Sequence, residues 1–354
     1  GLLSSLSQDM LPETDWPQLA VTLARNHPPA PRRRQLLVDV SELVHHDAKT
    51  GIQRVVRAIL RDWLENPPEG FQVEPVYATT EATGYRYARR WTCRFLGIPE
   101  DWAEDVPAEA WAGDVFIGLD LQHHVVSVQQ TFLHSWRNRG VKVWFVVYDL
   151  LPVLLPQAFP EGAQALHQRW LETISRFDGV ACISRAVADE LHEWLQTFGP
   201  ERERPLDIAW FHLGSDMQNS VPTTGLPPDA ELVLEQLRSR PSFLMVSTIE
   251  PRKGHAQTLE ACEQLWNEGI DVNLVFVGKQ GWMVETLVER LRTHPELGKR
   301  LFWLEGISDE YLEKVYAAST CLIAASYGEG FGLPLIEAAK HKLPIIARDI
   351  PVFR

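Results

Sequence analysis

The sequence predicts an α/β protein of two doubly wound, Rossmann-like domains with a cleft between them, and three observations carry that prediction. Short apolar runs alternate with segments of helical periodicity along nearly the whole chain. The alternation runs twice, on either side of a stretch rich in proline, glycine and hydroxyl residues at 219–228. A chain of 354 residues also exceeds what one hydrophobic core usually serves.

Taken in order, residues 1–34 carry Pro12, Pro17, Pro28, Pro29 and Pro31 and read as a leader with a short helix at 19–25. The first domain is expected over 35–218, with strands at 36–40, 71–78, 115–119, 141–148, 179–183 and 208–211. Its helices fall at 52–64, 125–139, 163–176 and 186–197; the first has Val55, Val56, Ile59, Leu60 and Trp63 on one face. Residues 79–112 are aromatic-rich without a period and read as an insertion, where Trp91, Trp102 and Trp111 offer core packing or an aromatic surface for stacking. Past the 219–228 linker, a second domain over 229–354 gives strands at 243–247, 272–277, 301–304, 321–324 and 344–346. Its helices are expected at 256–268, 282–292, 309–318 and 334–341.

Composition narrows the class. With 34 basic against 47 acidic residues the net charge is −13, which argues against a nucleic-acid binder relying on phosphate neutralisation. Cys93, Cys182, Cys262 and Cys321 are far apart, without metal-ligand spacing, which favours a reducing cytosol and no metal. No apolar run is long enough to span a membrane. The opening Gly1-Leu2-Leu3-Ser4-Ser5 lacks the regions of a signal peptide and reads as the start of a piece of something longer.

The most informative stretch is Ala325-Ser326-Tyr327-Gly328-Glu329-Gly330-Phe331-Gly332-Leu333-Pro334-Leu335-Ile336-Glu337-Ala338. It follows an apolar strand, spaces three glycines at every second position, and enters a helix at Pro334. Glycines let backbone approach a ligand, and a helix start offers free N–H groups to an anion or to hydroxyls. Glu329 in the loop and Glu337 a turn into the helix would hold two polyol parts of one ligand, which outlines a sugar-nucleotide site. Upstream, Glu250-Pro251-Arg252-Lys253-Gly254 also joins strand to helix, and its two adjacent cations suit a pyrophosphate and would offset the charge of a departing diphosphate. Tyr148-Asp149 ends a strand at the edge where a parallel sheet binds ligands, with Asp149 read either as orienting an acceptor or as capping a helix.

The Glu-x7-Glu pattern in its S-Y-G-E-G-F-G-L-P-L-I-E-A setting resembles family 4 of the retaining glycosyltransferases, over roughly residues 35–354. The resemblance implies the GT-B fold and metal-independent transfer of a sugar, without a cofactor, from a nucleotide-diphosphate donor to a glycan or lipid-linked acceptor. The E-P-R-K segment looks like that of mannosyltransferases using GDP-mannose in bacterial surface polysaccharide assembly. By this pattern Glu329 sits beside the donor sugar, with the amides of Gly330, Phe331 and Gly332 on its hydroxyls, and Glu337 accepts from the ribose. Lys253 matches the family's phosphate-binding lysine, while Thr248 stands where an arginine is usual and Arg252 takes that part. Gly306, Ile307 and, less specifically, Gly278 match loops that hold the base; Gly51 matches a glycine-rich loop near the phosphates whose second glycine is Thr50 here. Tyr148 stands where a histidine usually contacts the donor sugar. Ser184 reads as a helix cap first, and His212-Leu213-Gly214-Ser215-Asp216 loosely matches a segment before the linker. The expected setting is cytoplasmic; Arg32-Arg33-Arg34 reads first as a solvated segment, with weak contact to the inner membrane as the alternative that the family's often lipid-linked acceptors leave open. The family continues past the point matched by Arg354 into helices that return to the first domain, so the second domain is expected to be incomplete. The competing class is a non-catalytic GT-B module binding nucleotide sugar or a partner; a dehydrogenase lacks its G-x-G-x-x-G.

Overall fold

The computed structural model describes residues 12, 15–26, 33–47, 50–214 and 223–354. Seven strands form the first sheet: β1 (Arg34–Asp39), β2 (Phe71–Tyr77), β3 (Arg86–Tyr87), β4 (Val115–Gly118), β5 (Lys142–Val147), β6 (Gly179–Cys182) and β7 (Asp207–Trp210). Their order is β3-β2-β1-β4-β5-β6-β7, parallel throughout except for the β2–β3 pair. The second sheet comprises β8 (Ser242–Val246), β9 (Asn273–Val277), β10 (Leu301–Leu304), β11 (Cys321–Ala324) and β12 (Ile345–Ala347), in the order β10-β9-β8-β11-β12, all parallel. Helices cover both faces, which is why the central strands carry continuous apolar runs. Leu36, Leu37 and Val38 are all buried in β1, as is every residue of β9.

Strand order reverses between β1 and β4 in one sheet and between β8 and β11 in the other. Crevices at the carboxyl ends of such strands are where doubly wound sheets bind ligands. The helix Gly51–Glu65 begins with a reciprocal cap: Gln53 N donates to Thr50 Oγ1 and Thr50 N to Gln53 Oε1, each at 3.2 Å.

Three departures from the sequence expectation have clear causes. The helix expected at 125–139 is two, His123–Val128 and Gln130–Asn138. At the break, the buried Gln129 side chain donates to Thr79 O (2.9 Å) and Ala82 O (2.6 Å) and accepts from Gly84 N (2.7 Å), tying down the insertion. The insertion is ordered: it contains β3 and the helix Arg89–Leu96, with Trp91 buried against Phe95. The helix Ala230–Arg238 has no counterpart in the sequence expectation; Ala230, Leu234 and Leu237 bury it on the second sheet. Most of the expected leader, Arg32, the linker residues 219–222 and Ser215-Asp216 lie outside the described residues. Arg33 and Arg34 are described, and Arg34 lies over the Phe71 ring at 4.4 Å. No described helix is long and apolar enough to cross a membrane.

At the first sheet's reversal point stand two buried carboxyls that sequence reading missed. Asp39 accepts from Ser41 N (2.9 Å), Ser41 Oγ (2.5 Å) and Tyr85 OH (3.2 Å); Asp120 accepts from Leu43 N (2.8 Å) and Leu121 N (3.0 Å). Burial pushes Asp39 up to about 6 and Asp120 up to about 7, against the lowering effect of these hydrogen bonds. Both bind a proton more tightly in the folded chain, so their own contribution to stability falls as pH rises from about 4 to about 7, while buried histidines with depressed values, His123 and His167 among them, contribute in the opposite sense over the same range. Melting temperatures of the parent and of Asp120→Asn across that range test this: the variant is expected to fall further below the parent at pH 4 than at pH 7, so that the gap between the two narrows as pH rises.

Candidate active site

The site is built on the reversal point of the second sheet. The loop after β8 carries Glu250, then Arg252 and Lys253 in a 3-10 turn, and the loop after the adjacent β11 carries Ser326 to Gly332. The loops are bound edge to edge: Tyr327 N donates to Arg252 O (2.8 Å) and Arg252 Nη1 to Gly328 O (3.0 Å). Gly254 makes this approach possible. Its φ is +79°, and a Cβ there would lie 2.5 Å from Ala325 O.

Glu329 lies between the two cations. Lys253 Nζ donates to its Oε1 at 2.5 Å, Ser326 Oγ to the same oxygen at 2.7 Å, and Arg252 Nη1 to Oε2 at 3.3 Å. Burial alone would raise this carboxyl, but Lys253 and Arg252 outweigh it and hold the group at about 2. Arg252 Nε lies 3.0 Å from Glu250 Oε2, at an angle that makes an ion pair without a hydrogen bond. Burial raises Glu250 and also Asp149, with the Arg252 charge opposing it in both. The two cations thus face three carboxyls. One is ionised outright, and two are held closer to neutrality.

The first domain closes over this cluster. Gly330 meets the end of β5 so tightly that a Cβ would lie 2.1 Å from Tyr148 O, and Ser184 Oγ donates to Gly330 O at 2.8 Å while accepting from Val187 N. A Cβ on Gly328 would fall 2.5 Å from Leu151 Cδ2. These two glycines therefore admit the neighbouring domain, a packing role that the sequence did not suggest. Phe331 packs on the first domain's cluster of Tyr148, Ile183 and Leu213. Asp149 accepts from Leu151 N at 3.0 Å, ahead of a short helix, Leu151–Leu154, whose N-cap position is Leu150, and its carbonyl receives His167 Nε2 at 3.1 Å. Behind that, His123 Nε2 meets His167 Nδ1 at 2.8 Å, and burial holds both histidines down to about 4.

The other expected residues divide. Tyr148 is displaced from its anticipated place: its ring is 2% exposed and its hydroxyl donates to Leu119 O (2.7 Å), so only its carbonyl faces the loop. Glu337 accepts from Tyr316 OH at 2.7 Å and pairs with Arg54 of the first domain at 3.5 Å. Arg54 lies a turn beyond Gly51, where an added Cβ would meet nothing within 4 Å, so that helix start is open. Gly332 caps the helix Leu333–Lys340 at φ +92°. Gly306 takes φ +62° in the separate loop after β10, and Ile307 packs on the second domain's core. At Gly278 the constraint is packing, since a Cβ would lie 2.0 Å from Ser247 O. Sequence reasoning assigned no role to Arg54, Tyr316, Ser326 or Glu250; of these Glu250, in E-P-R-K, and Ser326, in S-Y-G-E, lay within the motifs it quoted.

Two parallel sheets with a charged cluster between them define the GT-B architecture. Solved structures of Anabaena HepE superpose on it: the complex with UDP-glucose at TM-score 0.58 and 15% identity, over 90% of this chain and 81% of that one, and the complex with UDP and glucose at 0.54 and 13%. Residues 234–354 match the family model described as Glycosyl transferases group 1. It is 47% identical over 349 residues to the serotype-specific mannosyltransferase WbdA of Escherichia coli, covering 98% of this chain and 42% of that protein. The O-antigen chain mannosyltransferase B of Escherichia coli is 32% identical over 30% of this chain. The chain thus spans less than half the length of the curated relatives that match it along almost all of its own.

The contact at Gly330 sets an expectation for folding. Gly330→Ala should destabilise the protein by about 1–3 kcal/mol, because backbone rather than a yielding side chain opposes the methyl. Gly51→Ala, with open space around it, should stay within about 0.5 kcal/mol of the parent. Chemical denaturation of the two variants checks this, and equal effects would contradict the packing described.

Proposed function

We propose that this chain is a retaining glycosyltransferase of the family 4 type, moving mannose from GDP-mannose to a glycan or lipid-linked acceptor in assembly of an O-antigen-like polysaccharide. The observation that carries this reading is Glu329 held between Arg252 and Lys253 at the reversal point of the second sheet. Mannose is supported by the names of the Escherichia coli relatives, and guanosine by the E-P-R-K resemblance. A nucleotide-sugar donor is supported by HepE, whose solved complexes hold UDP-glucose or UDP and glucose.

Without donor, both cations are engaged by carboxylates. An arriving diphosphate takes over Arg252 and Lys253, to which it can offer more charge and more oxygens than one carboxylate. Glu329, released, accepts from hydroxyls of the donor sugar alongside the amides of Gly330, Phe331 and Gly332. Glu337 exchanges Arg54 for the ribose, a half-exposed 3.5 Å pair that is cheap to give up. Gly306 and Ile307 border the base. In transfer, the bond from the anomeric carbon to the β-phosphate oxygen breaks with its electrons going to the phosphate. The acceptor oxygen bonds to the same face of that carbon, and its proton passes to the leaving phosphate. Arg252 and Lys253 stabilise the charge that develops there, and Asp149 positions the acceptor side. Attachment to the inner membrane face is part of this proposal through the acceptor.

Thermal unfolding with GDP, UDP, ADP and dTDP tests the donor. GDP alone should stabilise the fold, by about 2.7 kcal/mol at a hundred times its dissociation constant, and EDTA should not change this. A response to another base only would discard GDP-mannose, and no response would favour a module without donor binding. Glu329→Gln should lower transfer by at least about a hundredfold while nucleotide binding persists; unchanged transfer would refute its assignment.

A further inference from the structure

The insertion holds a feature that the crevice does not use. Trp102 has 71% of its surface exposed, yet its loop is not loose. On one side Arg90 Nε donates to Ala103 O (3.0 Å), Arg90 N to Asp105 Oδ1 (3.0 Å) and Tyr77 OH to Asp105 Oδ2 (3.4 Å). On the other, Arg94 pairs with Glu100, Ala103 N donates to Glu100 O (2.9 Å), and Ile98 N closes the helix end on Cys93 O (2.9 Å). A rigid loop that presents an indole to water forgoes burial that the same fold gives Trp91, one helix away. Trp102 borders a groove of about 160 Å³ on the outer strands, together with Val73, Ile98, Glu74, Arg89 and Thr92.

The composition of this groove is that of a sugar platform. One face of a hexose ring carries C–H groups that suit the negative face of an indole, while its hydroxyls need polar partners at the rim. Here the rim supplies a carboxylate, a guanidinium and a hydroxyl. Glu74 is half-buried with Oε1 engaged by Gln72, and the exposed Arg89 guanidinium lies 4.8 Å over the Tyr87 ring, aligned rather than free to wander.

We propose that this groove is a glycan-holding subsite, distinct from the crevice between the domains, that seats a hexose of the acceptor chain on Trp102. The proposal rests on the reading of the chain as a transferase with a glycan acceptor. It adds a second grip on that acceptor, so long chains should be held better than short ones.

Retardation of the protein in gels containing yeast mannan, with mannooligosaccharides of increasing length as transfer acceptors, tests it. Trp102→Ala should weaken mannan binding about tenfold and raise KM for long acceptors, while leaving KM for short ones and the nucleotide-induced melting shift unchanged; Trp102→Phe should restore much of the loss. Mannan binding that survives Trp102→Ala overturns the subsite, as does a variant effect on self-association in its place, which would assign the face to protein contact. If mannan binds neither protein while nucleotide binding and transfer persist, the subsite falls and the proposed function stands. If Trp102-dependent mannan binding occurs without transfer, the subsite stands and the transferase reading fails.

Discussion

One buried carboxylate between two cations organises this molecule. A charge taken from water into a protein costs several kcal/mol unless it is paired and hydrogen-bonded, and Glu329 is satisfied by Lys253, Arg252 and Ser326 together. That requirement fixes the relation of two loops from adjacent strands. It calls for Gly254 at positive φ so that the backbones can touch, and it places Arg252 where Glu250 and Asp149 also feel its charge. The same arrangement is a poised one. The cations are desolvated and aimed, and what holds them is a group that a diphosphate can replace.

The second constraint is the closeness of the two domains. Gly330 lies under Tyr148 O, Ser184 reaches across to Gly330 O, and Trp282 Nε1 donates to Ala158 O at 2.9 Å. Phe331 leaves its own domain to pack on the other's cluster. The loop proposed to hold the sugar is therefore shaped from both sides, and the His123–His167 pair behind Asp149 stiffens the side that faces it.

Much of this was legible because its chemistry is local. Strand, glycine turn and helix follow one another at 321–338, and the cations at 252 and 253 announce themselves in the same way, so residue type and spacing sufficed. What was not legible depends on partners far off in the chain. Ser184 and Gly330 are 146 residues apart, and nothing near either predicts their contact. The packing of Gly328 and Gly330 against the first domain was hidden for that reason, since a glycine that admits a ligand and one that admits a neighbouring backbone look alike in sequence. The break at Gln129 was hidden because apolar periodicity runs on through it while the fold uses the glutamine side chain to hold the insertion. The insertion's own helix, Arg89–Leu96, is two turns with three arginines and offers little periodicity to read.

The central claim is that Arg252 and Lys253 exchange Glu329 for the diphosphate of the donor. A crystal structure with a bound nucleoside diphosphate tests it most directly. The account predicts phosphate oxygens within hydrogen-bonding distance of both cations and the Glu329 carboxylate turned away from at least one of them. Glu329 still bridging both cations, with the diphosphate bound elsewhere, would contradict it.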